Sequence, residues 1–383
     1  MVKNFMEVYL DYSATTPVEK NVLNAMLEWT KSNWGNPSSI HRFGQAAKIK
    51  LEESRDLIAA RLGCMSKEII FTSGGTEANN MALIGAARAV KSKGRHIIIS
   101  AVEHPSVIES VKVLEREGFE ITFVPPGKSD AVEAENIFQF LTDSTILVSV
   151  MYVNNETGII NQVDKIADLC QEKNIMFHTD AVQAFGKIPF SLKNLKADFL
   201  TISAHKIYGP KGIGALFARS GAMIDSISFG GGQEANRRAG TENMTGIAGF
   251  GEAVKLLEHA EDDAKKALGL RTYFETELRR RIDNCYIVGE TSDRSPYICN
   301  IAFKGIANES FLLNLDMAGI AASVGSACSS GSIRQSHVLE AMSLPADILN
   351  SALRFSFGKF TTKEEIDYTL DKIEEISLRL RKQ

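Results

Sequence analysis

The five cysteines, Cys64, Cys170, Cys285, Cys299 and Cys328, are scattered, and no two stand close enough to form a CxxC pair. An odd set spaced in this way is neither a disulfide framework nor a zinc site. The seven histidines are dispersed too, with no HExxH, so no metal is expected. No apolar run approaches the length that spans a membrane, about 20 residues. Positive charge is not in excess: the 383 residues carry a net charge of −4, which leaves no electrostatic footprint for nucleic acid. The opening stretch, Met1-Val-Lys-Asn-Phe-Met-Glu-Val-Tyr-Leu10, contains an early Glu7 and no small-residue cleavage site. It does not read as a secretory signal, and a cytoplasmic location is expected. There is no GxGxxG. Gly127-Lys128-Ser129 does not complete a P-loop, because Thr122 stands where the leading glycine belongs, and that excludes a nucleotide triphosphatase. No internal repeat and no low-complexity tail are found.

What remains is an ordinary globular composition, 44% apolar and 23% charged. The chain is too long for one ordinary core and fits one large domain plus a smaller one. From residue 69 a pattern repeats: an apolar β-forming run, a polar or Gly-rich corner, then a helix. Ile69-Ile-Phe71 leads to Ser73-Gly-Gly-Thr76 and a helix over 77–90. His96-Ile-Ile-Ile-Ser100 leads to Glu103-His-Pro105 and a helix over 106–117. Ile146-Leu-Val-Ser-Val150 leads to Asn154, Asn155 and Glu156, and Ile175-Met-Phe-His-Thr179 to Asp180. The run 199–203 leads to Ala204, His205 and Lys206. Strands alternating with helices predict an α/β architecture around a mainly parallel sheet, with helices also over 21–29 and 46–62. Ligands of such sheets bind outside the carboxyl ends of the strands. Thr76, His104, Asn155, Asp180 and the segment from Ser203 to Lys206 all fall there. Beyond Gly232 the character changes. A long helical stretch over 243–270 reads as a bridge between domains, short strands follow within 282–303, and 309–318 is helical. Residues 362–380 form an amphipathic helix that opens on a Thr362/Glu365 capping box.

Several residues at these corners suit a shared chemistry. Lys206, at the mouth of a strand before a Gly/Pro-rich loop, suits a Schiff-base lysine, although the loop alone equally fits a surface turn. Gly74-Gly-Thr76, before a helix, suits phosphate, or is only a tight turn. Asp180 lies 26 residues before Lys206. It suits a partner for the pyridine nitrogen of pyridoxal phosphate, or is a plain surface carboxylate. His104 is a ring to stack on the cofactor and pass protons, or a corner histidine. Gln183 is a partner for the cofactor's phenolic oxygen, or a solvated helix residue. Arg354 is a clamp on an α-carboxylate, or one half of a salt bridge. Cys328 lies in Ser323-Val-Gly-Ser-Ala-Cys-Ser-Ser-Gly-Ser332 with no apolar periodicity around it. It reads as an exposed thiol on a mobile loop, over about 323–336, suited to attack and then delivery.

Together these residues resemble the cysteine desulfurases, the NifS/IscS-like branch of fold-type I pyridoxal-phosphate enzymes. The likeness runs nearly end to end. It is carried by Leu10-Asp-Tyr-Ser-Ala-Thr-Thr-Pro17, Gly35-Asn-Pro-Ser-Ser-Ile-His41, Thr72-Ser-Gly-Gly-Thr-Glu-Ala-Asn79, Glu103-His-Pro105 and Val153-Asn-Asn-Glu-Thr-Gly158. It continues in His178-Thr-Asp-Ala-Val-Gln183, Ser203-Ala-His-Lys206, Arg238-Ala-Gly-Thr-Glu-Asn243, Gly325-Ser-Ala-Cys-Ser329 and Leu353-Arg-Phe-Ser356. The resemblance implies a large domain, 16–258, with a mainly parallel seven-stranded sheet, and a smaller α+β domain from 1–15 and 259–383. It implies that Lys206 is the covalent lysine and that Gly75, Thr76, Ser203 and His205 hold the phosphate. Asp180 and Gln183 would hold the ring, His104 would stack on it, and Asn155 and Arg354 would hold the substrate carboxylate. Cys328 would be the nucleophile that becomes a persulfide. Thr241 would be lent to the phosphate of the neighbouring active site, which implies a homodimer.

The activity so implied takes sulfur from L-cysteine, leaves L-alanine and passes the persulfide to an acceptor protein. An iron–sulfur scaffold, a tRNA-thiolation enzyme and a cofactor-biosynthesis enzyme are all open as acceptors. A selenocysteine lyase or another lyase on the same fold, and a non-catalytic sulfur carrier, are the alternatives. The cysteine loop is of the long type, without Arg-x-Gly-His-His-Cys. Two departures stand out: Gln233-Glu-Ala-Asn236 differs from the Glu-Arg-Gly expected after the three glycines, and no further tail follows Gln383.

Overall fold

The computed structural model describes residues 6–325 and 335–382. Twelve strands are present among them: β1 (Val8–Tyr9), β2 (Ile69–Thr72), β3 (His96–Ser100), β4 (Glu120–Val124), β5 (Thr145–Ser149), β6 (Met176–Asp180), β7 (Phe199–Ser203), β8 (Gly214–Ala218), β9 (Cys285–Ile287), β10 (Ile298–Phe303), β11 (Ile320–Ala321) and β12 (Ala352–Ser356). Seven of them make one sheet in the order β2-β8-β7-β6-β5-β3-β4. The pairings from β7 through β4 are parallel, and β8 is antiparallel to both β2 and β7. The inner strands are buried along their length because helices cover both faces, while the edge strand β4 is largely uncovered. In β3, Ile98 packs into the core on one face while Ile97 and Ile99 pack into the core on the other. Each large apolar side chain buried in this way contributes roughly 1.5–3 kcal/mol.

The second layer of structure is smaller. Strands β9, β10 and β12 form an antiparallel sheet, and β1 pairs in parallel with β11. Their core joins Val8 and Leu10, from the start of the chain, to Phe274, Phe303, Phe311, Phe355 and the stripe Ile366, Leu370, Ile373 and Ile376. That stripe belongs to the helix Lys363–Leu380, which opens on the Thr362/Glu365 capping box expected from the sequence.

Three helices differ from expectation, each for a local reason. The helix expected over 46–62 begins at Arg42, because His41 caps it by accepting from the Gly44 amide. Gly44 cannot carry a side chain there: a Cβ would sit 2.3 Å from the Ser39 carbonyl oxygen. The missing side chain at Gly44 is what lets the helix start this early. The run 75–90 contains a wide turn at Met81–Gly85, where the Gly85 carbonyl accepts from Asp225. The stretch expected as one bridge over 243–270 is Met244–Lys255, a tight turn at Leu256–His259, and Ala260–Arg281. The second part runs past 270 because Phe274 and Leu278 continue its apolar face into the smaller core.

Candidate active site

A cavity of 430 Å³ opens at the carboxyl edge of the large sheet, where it meets the smaller layer. Gly75, Thr76, His104, Asn155, Asp180, Gln183, Ser203, His205, Lys206 and Arg354 all line it. Thr241 does not; it is exposed, two residues before the Asn243 cap of a helix. Cys328 lies outside the described residues. The described residues just before its segment, Ser323 and Gly325, are in the cavity wall. A larger and more open groove of 820 Å³, lined by Lys48, Arg55 and Arg219 among others, holds none of the expected residues.

Asp180 ends β6 and is buried. Its carboxylate is held at both oxygens: Oδ1 accepts from the Val182 amide at 2.9 Å and Oδ2 from Asn79 Nδ2 at 2.7 Å. Asn79 Nδ2 also donates to Ser106 Oγ at 2.8 Å, and that hydroxyl pairs with His104 Nδ1 at 2.8 Å. The Ser106 amide donates to the same Nδ1. A backbone N–H can only donate, so Nδ1 is an acceptor and the neutral ring carries its proton on Nε2. Burial pushes the His104 pKa below the usual histidine value, against the pull of Asp180. The ring is therefore neutral at pH 7. Asn79 and Ser106, which tie the carboxylate to the histidine, were not singled out in the sequence. Their only signal is polar side chains buried inside helical runs.

Lys206 follows β7 in a short turn. Its Nζ donates to the carbonyls of Ser13 at 2.5 Å and Ala14 at 2.6 Å. Gln183 Nε2 donates to the same Ser13 oxygen at 2.8 Å. The N-terminal segment is thus part of the site. His205 Nδ1 pairs with Thr15 Oγ1, and burial, with Lys206, Lys187 and Lys211 nearby, pushes the His205 pKa down to about 3. It is a neutral ring at any working pH.

Arg354 projects from β12 and combines both of its sequence alternatives. It makes a salt bridge, Nη2 to Asp11 Oδ1 at 2.7 Å, and still lines the cavity. Nη1 donates to the Asn155 carbonyl at 2.9 Å, and Nε has no hydrogen-bond partner among the described residues. A guanidinium fixed on one edge with a donor left over is prepared for a carboxylate.

The residues also fit the phosphate of a cofactor. Ser203 Oγ is buried in the cavity wall with no hydrogen-bond partner among the described residues. Such an orphan hydroxyl costs free energy unless a ligand meets it. Beside it Gly75 opens the helical run 75–90, and a Cβ there would come within 3.0 Å of Val182 Cγ2 and 3.9 Å of Ser203 Cβ. Backbone N–H groups at such a helix start favour phosphate.

Two buried carboxyls frame the cavity without lining it. Glu103 Oε1 accepts from Ser100 Oγ at 2.5 Å and the Met151 amide at 2.6 Å, while Oε2 has no partner among the described residues. Burial pushes its pKa up to about 8. Glu156 Oε2 pairs with Ser336 Oγ at 2.5 Å, and a Cβ on Gly325 (φ +83°) would lie 2.6 Å from that same oxygen. One carboxyl therefore touches described residues on both sides of the Cys328 segment. The departure at 233–236 has a structural counterpart as well. Glu234, Ala235 and Asn236 are all left-handed, with φ of 48°, 55° and 63°. The strained turn is pinned by Glu234, which takes two bonds from Arg55 and one from the Phe71 amide.

The class-V aminotransferase family matches residues 8–369. The chain belongs to that family. Within it the similarity is to the IscS/NifS-like cysteine desulfurases. The cysteine desulfurase IscS of Dictyoglomus turgidum is 47% identical over 98% of this chain and 95% of its own. Among solved structures, a NifS-like protein superposes with a TM-score of 0.92 at 36% identity, covering 98% of this chain and 100% of its own. SspA, solved in complex with cysteine, superposes with a TM-score of 0.82 at 32% identity, over 93% of this chain and 100% of its own. The class-V fold accounts for the seven-stranded sheet, as the sequence led us to expect. None of the helices is long and apolar enough to cross a membrane among the described residues.

Proposed function

We propose that this protein is a pyridoxal-phosphate-dependent cysteine desulfurase that works as a cytoplasmic homodimer. One observation carries the reading: a single cavity gathers a lysine, a doubly hydrogen-bonded aspartate, a neutral histidine and a half-committed arginine. Lys206 would hold the cofactor covalently. Asp180 would face its ring nitrogen, Gln183 its phenolic oxygen, and Gly75, Thr76, Ser203 and His205 its phosphate, with Thr241 supplied by the partner subunit. Bound there, pyridoxal phosphate supplies a carbonyl that condenses with amines and a ring that takes up electron density.

The chain's own residues do the rest. Arg354 and Asn155 bind the α-carboxylate of L-cysteine, and Asp11 keeps the guanidinium aimed. His104 and Lys206 accept and return protons at Nε2 and Nζ. The Val182 amide and Asn79, one at each oxygen, hold the Asp180 carboxyl in place toward the ring nitrogen. The Cys328 thiolate takes the substrate sulfur. L-cysteine and the Cys328 thiol give L-alanine and the Cys328 persulfide, which balances without an added oxidant. The persulfide then passes to an acceptor protein, for which an iron–sulfur scaffold or a tRNA-thiolation enzyme is proposed.

The test is Cys328→Ala, with alanine release from L-cysteine measured alongside the persulfide on the protein. Both should disappear while the cofactor's colour remains. Alanine release at the wild-type rate would overturn the mechanism.

A further inference from the structure

Lys187 is buried, and no ion pair of its ammonium is found among the described residues. It lies just beyond the cavity wall, four residues after Gln183. Its Nζ donates to Gln183 Oε1 at 2.6 Å. An amide side chain can usually be turned either way round at no cost that geometry reveals. Here it cannot. The Ser13 carbonyl can only accept, and the charged Lys187 ammonium can only donate, so both ends of the amide agree that the oxygen of Gln183 faces Lys187. The NH2 group is thereby forced to the other side, where it meets the Ser13 carbonyl at 2.8 Å. That carbonyl also receives Lys206. Four groups form one line: Lys187, Gln183, the Ser13 oxygen and Lys206.

We propose that Lys187 is a positioning residue that locks Gln183 as a hydrogen-bond donor toward the phenolic oxygen of the cofactor and adds positive charge behind it. This rests on the pyridoxal-phosphate reading above. A buried lysine with no carboxylate is expensive to keep. A methionine of similar length would fill the same space, so packing alone does not account for the ammonium. Its surroundings are mostly cationic or neutral. Lys206 and Arg354 act on it from the cavity side, and burial together with their charge pulls its pKa down to about 7. The Tyr297 ring lies 6.0 Å away. Tyr12, Tyr208, Asp263 and Lys359 line a small void on one flank, and Arg61, Glu261 and Lys265 line a cleft on the other. Neither Asp263 nor Glu261 reaches ion-pairing distance.

A donor to the phenolic oxygen and a positive charge behind it act in the same direction. Both favour the oxygen as an anion and weaken the hold of the lysine–cofactor linkage on its proton. The experiment is a pH titration of the bound cofactor's absorption band in the full-length holoenzyme, with the rate of cofactor loss followed in the same samples. Lys187→Met removes both effects, and its midpoint should move up by about one pH unit. Cofactor loss should quicken about fivefold, as for one missing hydrogen bond. Lys187→Gln keeps a donor to Gln183 without the charge, so its midpoint should move up by less. It also carries the test if the methionine variant does not fold. Midpoints and loss rates equal to wild type in the folded variants, or a downward shift, would overturn the proposal. A wild-type protein that shows no cofactor band would instead overturn the function on which it rests.

Discussion

At one end of the cavity Gly75, Asp180, Ser203 and Lys206 all leave one sheet at its carboxyl edge, from β2, β6 and β7. At the other end Asp11, Ser323 and Arg354 come from the N-terminal segment and the smaller layer, and they meet only through tertiary contacts. The cofactor end is positioned by neighbouring strands of a continuous hydrogen-bonded sheet. The substrate end is positioned by the short three-stranded sheet that holds Arg354, by bridges from Ser323 and Asp11 to its strand, by one salt bridge and by one bond to the Asn155 carbonyl. On the proposed function, covalent chemistry would be anchored where the fold is most constrained, and recognition placed where two packed layers meet.

Substitutions should separate the two ends. The largest effect belongs to Lys206→Ala. Borohydride reduction followed by mass spectrometry should find no pyridoxyl adduct, and turnover should fall about a thousandfold or more. An adduct on another lysine would break the comparison at its firmer end. Arg354→Lys comes next. A lysine cannot fork between Asp11, Asn155 and a carboxylate, so KM for L-cysteine should rise on the order of tenfold to a hundredfold. The cofactor's absorption should not change, and if it does, the two ends are not separable. Ser203→Ala is smaller. It removes an unmatched hydroxyl, so the cofactor-free protein should unfold at the same temperature or higher, while cofactor affinity drops about tenfold. Equal affinity in a cofactor titration would remove Ser203 from the phosphate site.

The smallest effect concerns stability. Burial raises the pKa of Glu103 in the fold to about 8, well above the 4.5 of a free glutamate. The folded state therefore binds the extra proton between those values, and stability falls as pH rises through that window. Glu103→Gln should flatten the decline of the melting temperature between about pH 4.5 and 8. His178 and His205 act in the opposite sense. Burial holds both near 3, so the stability they contribute is present above about 6.5 and is lost as pH falls below it.

The cofactor end was legible in the sequence because each of its residues follows an apolar run, and a strand's polar terminus is a local signal. Asp180, Ser203 and Lys206 could be found one at a time and then added together. The substrate end was legible only in part. Arg354 stood out as a charge within a strand-like run, but Asp11, its partner, lies more than three hundred residues earlier and carries no local mark. Asn79 and Ser106 were hidden for a different reason. Each looks like an ordinary helix residue until its helix is placed against β6. The start at Arg42 was missed because what sets it, the His41 cap and the close approach of Ser39 to Gly44, is not marked by any apolar spacing in the sequence.

The pairing of Val8 with Ile320, and of Leu10 with Ala321 and Ser356, has a consequence for synthesis. The first strand made cannot find its partners until nearly the whole chain has left the ribosome. Contacts of such long sequence separation form slowly. The large sheet can close while translation continues, but the arginine that would grip the substrate is aimed only at the end, when the earliest and latest segments meet. A nascent chain stalled before residue 356 would hold the floor of the site and lack its clamp.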